Sequence, residues 1–261
     1  MASVYYLDRL TYEEVDRLPR EETVIILPVG PLEAHGPHLP LSVDINGALV
    51  LSDLAAQLLA QRGISVLIAP ALPYALADVA MPFAGTVTLS RETVTSLALD
   101  IAKSFARHGF KYLVINCHHL EVPNLAALRA AAEAARQFGI SVLVSRAIID
   151  SLPQIASHLR SEHPELDIHA GEMETALYLW RFPEMVRNNY LDLPPVWVNI
   201  RQKFSEGAKD FREVGATRCY LGDPAKASAE AGAELYRILA EALADEVEKW
   251  FRQQQAAAQD R

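Results

Sequence analysis

The feature of this chain that most constrains its fold is one pattern that occurs three times. In each copy an alanine-rich or apolar-periodic stretch with helical spacing ends near a glycine, and a short segment rich in Val, Ile and Leu follows. Glycine commonly ends helices, and strands of this composition are typical of a parallel sheet that is covered on both faces. The predicted pairs of helix and strand are 45–62 with 64–69, 90–108 with 112–115, and 123–137 with 140–144. The repetition predicts an α/β fold with a mostly parallel central sheet.

Two further segments extend this prediction. The apolar run 23–28 predicts a strand before the first repeat, and the stretch 223–255 predicts a long packing helix. Its apolar side chains recur at helical spacing, at Leu235, Ile238, Leu239 and Leu243. The sequence leaves open whether this stripe covers the sheet or another subunit. Because no linker divides the chain, we expect a single domain over residues 1–261.

Charge and cysteine content restrict the partners and the compartment. The formal net charge is -9 and no basic run occurs, which argues against a nucleic-acid-binding face and favours a small-molecule substrate. Two cysteines are too few for a disulfide framework, as is typical of a cytoplasmic protein. No apolar signal core follows Met1, and we expect no apolar run long enough to span a membrane.

Metal-ligand side chains follow the predicted strand 23–28. Glu33 and His35 are two residues apart, so they point to the same side of an extended segment, and Asp44 comes shortly after them. Carboxylate oxygen and neutral imidazole nitrogen are ligands of zinc and related divalent ions. Three prolines stiffen the segment and reduce the entropy lost on binding. The pattern predicts a metal site at the end of this strand.

A second polar group follows the predicted strand 112–115. His118 and His119 point in opposite directions if the chain is still extended, so only one of them is expected to face the site. His119 points to the same side as Glu121, and we favour this pair. In proteins with a parallel sheet, bound molecules and ions lie beyond the carboxyl ends of the strands. The polar groups that follow strands 23–28 and 112–115 are therefore expected to lie close together.

A third polar group opens a predicted helix near residue 172. His169 could carry a proton, while Glu172 and Glu174 could bind a metal or assist catalysis. Carboxylates in the first turn of a helix also stabilise its dipole, so a purely structural role for the two glutamates stays open. We favour a role in the site because His169 lies so close to them.

The first and third groups carry a resemblance to the creatininase family of metal-dependent amidohydrolases. The family pattern Glu-x-His-Gly-x-His-Leu-Pro-x-x-x-Asp stands complete here between Glu33 and Asp44. The similarity continues, in order, through Gly85-Thr86, Gly109-Phe110, the region of His119, His169-Ala170-Gly171-Glu172 with Glu174-Thr175, and Leu221-Gly222-Asp223-Pro224. It therefore covers most of the chain.

The resemblance implies a three-layer α/β/α fold, a homo-oligomer for which the family points to a hexamer, and two Zn or Mn ions per subunit. It implies hydrolysis of a carbon–nitrogen bond in a small cyclic amide or a formamide by a metal-activated water. Glu33 and His35 would each bind one metal ion, and Asp44 would bridge the two. His119 would complete the first site.

The ligand set leaves one alternative open. Either Glu121 or Glu172 would complete the second metal site, because the resemblance places both at positions that family members use. His169 is expected to protonate the leaving nitrogen, with Glu174 or Asp167 orienting its ring.

Two other functions are weighed against metal-dependent hydrolysis. Cys117 beside His118 could form a cysteine hydrolase, although adjacent residues of a strand diverge and such a pair must converge. The same scaffold could also serve as a catalytically silent metal-binding or assembly protein, since a fold does not determine a function.

Overall fold

The centre of the molecule is a parallel sheet of five strands. A computed structural model describes residues 2–259, and Met1, Asp260 and Arg261 of the predicted domain lie outside the described residues. The strand order is β1-β3-β2-β4-β5, and every neighbouring pair is parallel. The strands are β1 (Val4–Tyr6), β2 (Val24–Val29), β3 (Val66–Ile68), β4 (Tyr112–Cys117) and β5 (Ser141–Val144).

The helices alternate with these strands as the repeated pattern predicts. They are α1 (Tyr12–Asp16), α2 (Val43–Gln61), α3 (Arg91–Arg107), α4 (Val122–Ala135), α5 (Ala147–Ala156), α6 (Glu172–Arg181), α7 (Ile200–Ser205) and α8 (Ala229–Gln259). Gly63 and Gly109 follow α2 and α3 with φ angles of +85° and +88°. Only glycine adopts this left-handed conformation without a steric cost, so these two residues end their helices.

Alternate side chains of the strands divide the core into two apolar layers. In β2, Val24 and Ile26 pack with residues of α2, α5, α6 and α8, whereas Ile25 and Leu27 pack with residues of α3 and α4. β2 therefore buries both of its faces, as central strands of parallel sheets do. The arrangement confirms the predicted three-layer α/β/α fold.

The long helix α8 covers the sheet of its own chain. Leu235, Leu239 and Leu243 are fully buried, and the helix packs on α2, α5 and α6. The apolar stripe is thus used within the described chain. The predicted helix began too early, because the 3-10 turn Pro224–Lys226 precedes α8, which starts at Ala229.

Helix α2 is long and apolar enough, by length and composition alone, to cross a membrane. This finding does not contradict the expectation that no apolar run spans a membrane, because 61% of the apolar window is buried inside the protein, as in the core helix of a globular fold. The observation is weak evidence for a membrane span.

The carboxyl ends of β2 and β4 lie side by side at the middle of the sheet. Val29 pairs with Cys117 at the last position of both strands, and the backbone N–H of His118 donates to the Val29 carbonyl over 3.1 Å. At Gly30 a side chain would lie 2.5 Å from the backbone of Asp44, so the loop passes directly against the start of α2. The fold therefore brings the first two polar groups to one edge.

Candidate metal centre

Glu33, Asp44 and His119 form the first of two clusters at this edge that share Asp44, and a third cluster groups Glu33, His35 and His169. Their nearest ligand atoms all lie within 4.8 Å of one another. His119 Nδ1 is 3.0 Å from Glu33 Oε2 and 3.5 Å from Asp44 Oδ2. All three side chains are buried. Three donor atoms of these types can hold one divalent ion.

The second cluster contains His35, Asp44 and Glu174. His35 Nε2 is 3.8 Å from Asp44 Oδ1 and 3.8 Å from Glu174 Oε2. Asp44 therefore belongs to both clusters and turns a different oxygen to each of them. This is the geometry that a bridging carboxylate needs. The structure brings together Glu33, His35, Asp44 and His119, and metal binding by them stays a prediction.

Several ligand atoms of the two clusters lack a hydrogen-bond partner. Within residues 2–259, the buried atoms without one include both carboxylate oxygens of Glu33, Nε2 of His35 and Oδ2 of Asp44. Leaving a buried polar atom unsatisfied costs about 1–3 kcal/mol, and more if it is charged. Such atoms concentrated at one point fit a bound cation, which would satisfy all of them at once.

Hydrogen bonding orients His35 for metal binding. Its Nδ1 lies 3.0 Å from the Glu33 carbonyl oxygen, to which it donates in the neutral ring, and this leaves the lone pair of Nε2 directed at the second cluster. Burial lowers the pKa of His35, which keeps the ring neutral, as a metal ligand must be.

Glu33 and Asp44 differ in the charge that they carry. Burial raises the pKa of Glu33 to about 8, although His119 acts against this shift. Burial also acts to raise the pKa of Asp44, but His35 and the neighbouring imidazoles outweigh it and hold that pKa well below its usual range. A bridging carboxylate is required to be ionised, and Asp44 meets this requirement.

The two carboxylates predicted for the second site lie elsewhere. Glu121 Oε2 is 3.4 Å from His119 Nε2, which places it beside the first cluster. Glu172 accepts hydrogen bonds from the backbone N–H of Arg160 (2.9 Å) and of Ser161 (2.8 Å) and from the Ser161 hydroxyl (2.6 Å). Glu174 reaches the second cluster instead.

The geometry of α6 explains why Glu172 and Glu174 point in different directions. Successive helical residues are rotated by about 100°, so residues two apart point in nearly opposite directions. When Glu174 faces His35, Glu172 is therefore turned away from the clusters. The prediction that Glu172 binds metal or takes part in catalysis is not supported by its position.

His169 is held next to the clusters in a fixed orientation. Its Nε2 lies 2.8 Å from the carbonyl oxygen of Ala34, and its ring lies 4.2 Å from the ring of His35 and 4.6 Å from that of Phe211. Burial lowers the pKa of His169 to about 4, so the ring is neutral near pH 7.

Asp167 does not orient His169 as predicted. Its carboxylate accepts the backbone N–H groups of Glu172 (2.7 Å) and Met173 (3.2 Å) at the start of α6. Glu174 accepts the N–H of Ala170 over 2.5 Å, so its hydrogen bond also goes to the backbone. The Ala34 carbonyl is the group that holds the His169 ring.

The structure contradicts a cysteine hydrolase. The Cys117 thiol is buried and donates to the His119 carbonyl over 3.1 Å, and burial raises its pKa to about 11. His118, the proposed partner, places its Nε2 2.5 Å from the Tyr236 hydroxyl. The thiol therefore has neither the ionisation nor the base that a cysteine nucleophile needs.

The sequence did not indicate two contacts of the site. Tyr236 contacts His118 from within an apolar helix face, and His38 Nε2 lies 2.9 Å from the Thr175 hydroxyl. His38 stands in the first motif, so its burial could have been expected. No signal in the sequence pointed to Tyr236, which is 118 residues away from its partner.

A protein-family model described as creatininase, creatinine amidohydrolase, matches residues 8–247. The chain belongs to the creatininase family. It is therefore an enzyme, a hydrolase that acts on amide carbon–nitrogen bonds.

Two curated relatives of this creatininase-family chain carry different names. The mycofactocin precursor peptide peptidase of Mycolicibacterium smegmatis is 27% identical over 234 residues, which cover 87% of this chain and 85% of the relative. The creatinine amidohydrolase of Pseudomonas putida is 27% identical over 270 residues, which cover 96% of this chain and 99% of the relative. Both matches extend over nearly the whole of each protein.

A solved structure named as a manganese creatininase has the same fold. It superposes with a TM-score of 0.77 at 24% identity, and the match covers 95% of this chain and 99% of that one. At this identity the likeness shows the fold alone. The three-layer architecture of the creatininase family is thus present over the described chain.

Proposed function

We propose that this chain hydrolyses a carbon–nitrogen bond of a small cyclic amide or a formamide at a centre that holds two Zn or Mn ions. The observation that carries the proposal is the pair of buried clusters that share Asp44. Glu33, Asp44 and His119 would hold one ion, and His35, Asp44 and Glu174 would hold the other. Mixed carboxylate and imidazole sets of this kind suit both metals.

The residues fit the chemistry that such ions supply. When bound, divalent ions lower the pKa of water from about 15.7 to about 7 and polarise an amide oxygen. His169 is the proton carrier in this proposal. Because Nε2–H donates to the Ala34 carbonyl, Nδ1 would take the proton that the attacking water loses and pass it to the leaving amine.

The burial of the centre supports a small substrate. Glu33, His35 and Asp44 are at most 2% exposed, and Phe211 packs on the ring of His169. The ligand atoms are thus shielded from solvent, which favours a small substrate. The name of the peptidase relative suggests a second candidate substrate, a peptide amide. Its scissile bond would have to reach the same buried ligand atoms.

The test measures metal-dependent hydrolysis. The EDTA-treated protein is reloaded with Zn²⁺ or Mn²⁺ and assayed for amine release from lactams, cyclic ureas, formamides and short peptides. We expect turnover of at least one cyclic amide or formamide, loss of turnover with EDTA, and its recovery with metal. Hydrolysis of peptides alone would contradict the substrate class, and hydrolysis unaffected by EDTA would contradict the metal centre.

A matched pair of variants on α2 controls this assay. Asp44→Asn removes the shared carboxylate and is expected to lower kcat/KM by at least about 100-fold, because one carbonyl oxygen cannot replace an anionic bridge. Asp53→Asn makes the same change on the same helix, where the carboxylate bonds Tyr6 and Gln57 far from the clusters. Its activity is expected to equal that of the unaltered protein.

A further inference from the structure

His118 is a buried imidazole that the proposed hydrolysis does not use. Its Nδ1 lies 3.6 Å from Asp44 Oδ1 and has no hydrogen-bond partner within residues 2–259. The side chain is 1% exposed. Among the described residues, His118 belongs to none of the three clusters of ligand atoms. His118 therefore lies next to the carboxylate of Asp44 but is not one of the candidate metal ligands.

The Tyr236 hydroxyl lies against one of the two ring nitrogens of His118. The Tyr236 hydroxyl is 2.5 Å from His118 Nε2, and the two rings are stacked with an interplanar angle of 15°. Tyr236 is fully buried on α8, within an apolar layer where its phenol stays protonated. A phenol that donates to Nε2 leaves the hydrogen of the neutral ring on Nδ1, the nitrogen that faces Asp44.

Gly47 provides the space for the His118 ring. A Cβ atom at this position would lie 2.7 Å from Nε2 of His118 and 2.8 Å from two of its ring carbons. Glycine inside a helix is destabilising relative to alanine, and Gly47 lies inside α2. Asp44 and Gly47 are three residues apart, so they share one face of the helix. The ring is thereby held against the same face as the carboxylate.

We propose that Tyr236 and His118 position Asp44 for metal binding. The Tyr236 hydroxyl donates to Nε2 of His118, which leaves the Nδ1–H of His118 directed at Oδ1 of Asp44 from 3.6 Å away. This fixes the direction of the oxygen that faces His35 and Glu174. The inference rests on the proposed function, because it assigns the two residues to the carboxylate that would bridge the ions. His118 and Tyr236 are positioning residues and touch no substrate.

The first test measures metal affinity in a matched pair of tyrosine variants. Tyr236→Phe keeps the ring and removes only the hydroxyl, and we expect it to weaken the binding of Zn²⁺ or Mn²⁺ about tenfold or more in competition with a chelator. Tyr178→Phe is the control, since Tyr178 is also fully buried and its hydroxyl contacts Ser42 and Asn46 of the same region. We expect no change in metal affinity there.

The second test reads the tautomer of His118 directly. In protein labelled with ¹⁵N-histidine, we expect the His118 signals of the Nδ1–H form, and we expect Tyr236→Phe to shift them while those of His35 persist. A merely structural hydroxyl would change the unfolding free energy without changing the tautomer or the metal affinity. Gly47→Ala, which pushes the ring away, is expected to weaken metal binding as Tyr236→Phe does.

Two results would overturn the inference. One is a Tyr236→Phe protein that binds metal as tightly as the unaltered protein. The other is a His118→Gln protein that loses one full equivalent of metal, because His118 would then be a ligand itself. If Asp44→Asn also binds metal as tightly as the unaltered protein, the proposed metal centre fails. If only Asp44→Asn loses affinity, the centre stands and the positioning role of Tyr236 fails.

Discussion

At the scale of single residues, the two glutamates at the start of α6 have separate roles. Glu174 lies 3.8 Å from His35 and faces the ligand atoms, whereas Glu172 binds the loop at Arg160 and Ser161. Both are buried, so burial does not distinguish them. Their difference in direction comes from the rotation of the helix, and it makes them a natural pair for mutation.

The first prediction concerns this pair of glutamates. Glu174→Gln replaces an anionic ligand by a neutral one, so we expect the protein to lose about one equivalent of tightly bound metal and most of its turnover. Metal content after dialysis, measured by elemental analysis, checks the outcome. A Glu174→Gln protein that keeps two equivalents at unchanged affinity would contradict the assignment.

Glu172→Gln is the matched control for that experiment. We expect its metal content to be unchanged, because the carboxylate lies away from both clusters. Its unfolding free energy is expected to fall by about 1–3 kcal/mol, since an amide NH₂ group would face the N–H donors that the carboxylate now satisfies. Urea denaturation measures this loss.

At the scale of secondary structure elements, the contact between α6 and α8 sets the geometry of the site. A Cβ atom at Gly232 would lie 2.1 Å from the carbonyl oxygen of Ala176, so the two helices pack backbone to backbone at this point. One turn further along α8, Tyr236 reaches His118. The close approach therefore aligns α6, which carries Glu174, with the helix that supports His118.

The second prediction concerns this helix contact. Alanine at Gly232 would add about 1 kcal/mol of helix propensity, but it would force apart two helices whose atoms are already in contact. We expect Gly232→Ala to lower the unfolding free energy by about 2 kcal/mol or more, as measured by urea denaturation. Gln253→Ala, at an exposed position of the same helix, is expected to stay within about 0.5 kcal/mol of the unaltered protein. Equal stability of the two variants would show that the contact is not tight.

At the scale of the whole molecule, the chain is acidic and also buries carboxylates in its interior. The chain has a net charge of -9, and three carboxylates lie buried together between the sheet and α6. Such a cluster needs cations or protons to offset its charge. Three expectations stay predictions: a homo-oligomer, for which the family points to a hexamer, a small-molecule substrate and a cytoplasmic location. The structure of a single chain does not test them.

The third prediction concerns metal and global stability. A ligand present at 1,000 times its Kd stabilises a protein by about 4 kcal/mol, so Zn²⁺ or Mn²⁺ is expected to raise the Tm of the EDTA-treated protein by several degrees. Protons compete for the same ligand atoms, and burial raises the pKa of Glu33 to about 8. The gain in Tm is therefore expected to shrink as the pH is lowered below this value.

Calorimetry with and without metal checks this expectation, and Asp44→Asn is the control. That variant lacks the shared carboxylate, so metal is expected to raise its Tm little or not at all. An equal rise in Tm for both proteins would show that the ion binds elsewhere.

Most of the fold could be predicted because its signals are local. The spacing of apolar residues and the glycines that follow α2 and α3 act within a few residues of the elements they define. The strand Val4–Tyr6 was missed because it has three residues and is only half-buried, so it leaves no apolar run. The start of α8 was misplaced because the 3-10 turn at Pro224 also has helical spacing.

The order of helices and strands along the chain was enough to predict a parallel sheet, and with it that Glu33, His35, Asp44 and His119 follow the carboxyl ends of its strands. Only the tertiary structure decided that Glu174 rather than Glu172 faces His35, and that Tyr236 reaches His118. These choices depend on the rotation of a helix about its axis and on contacts between residues more than 100 positions apart. Neither is encoded in the spacing of neighbouring side chains.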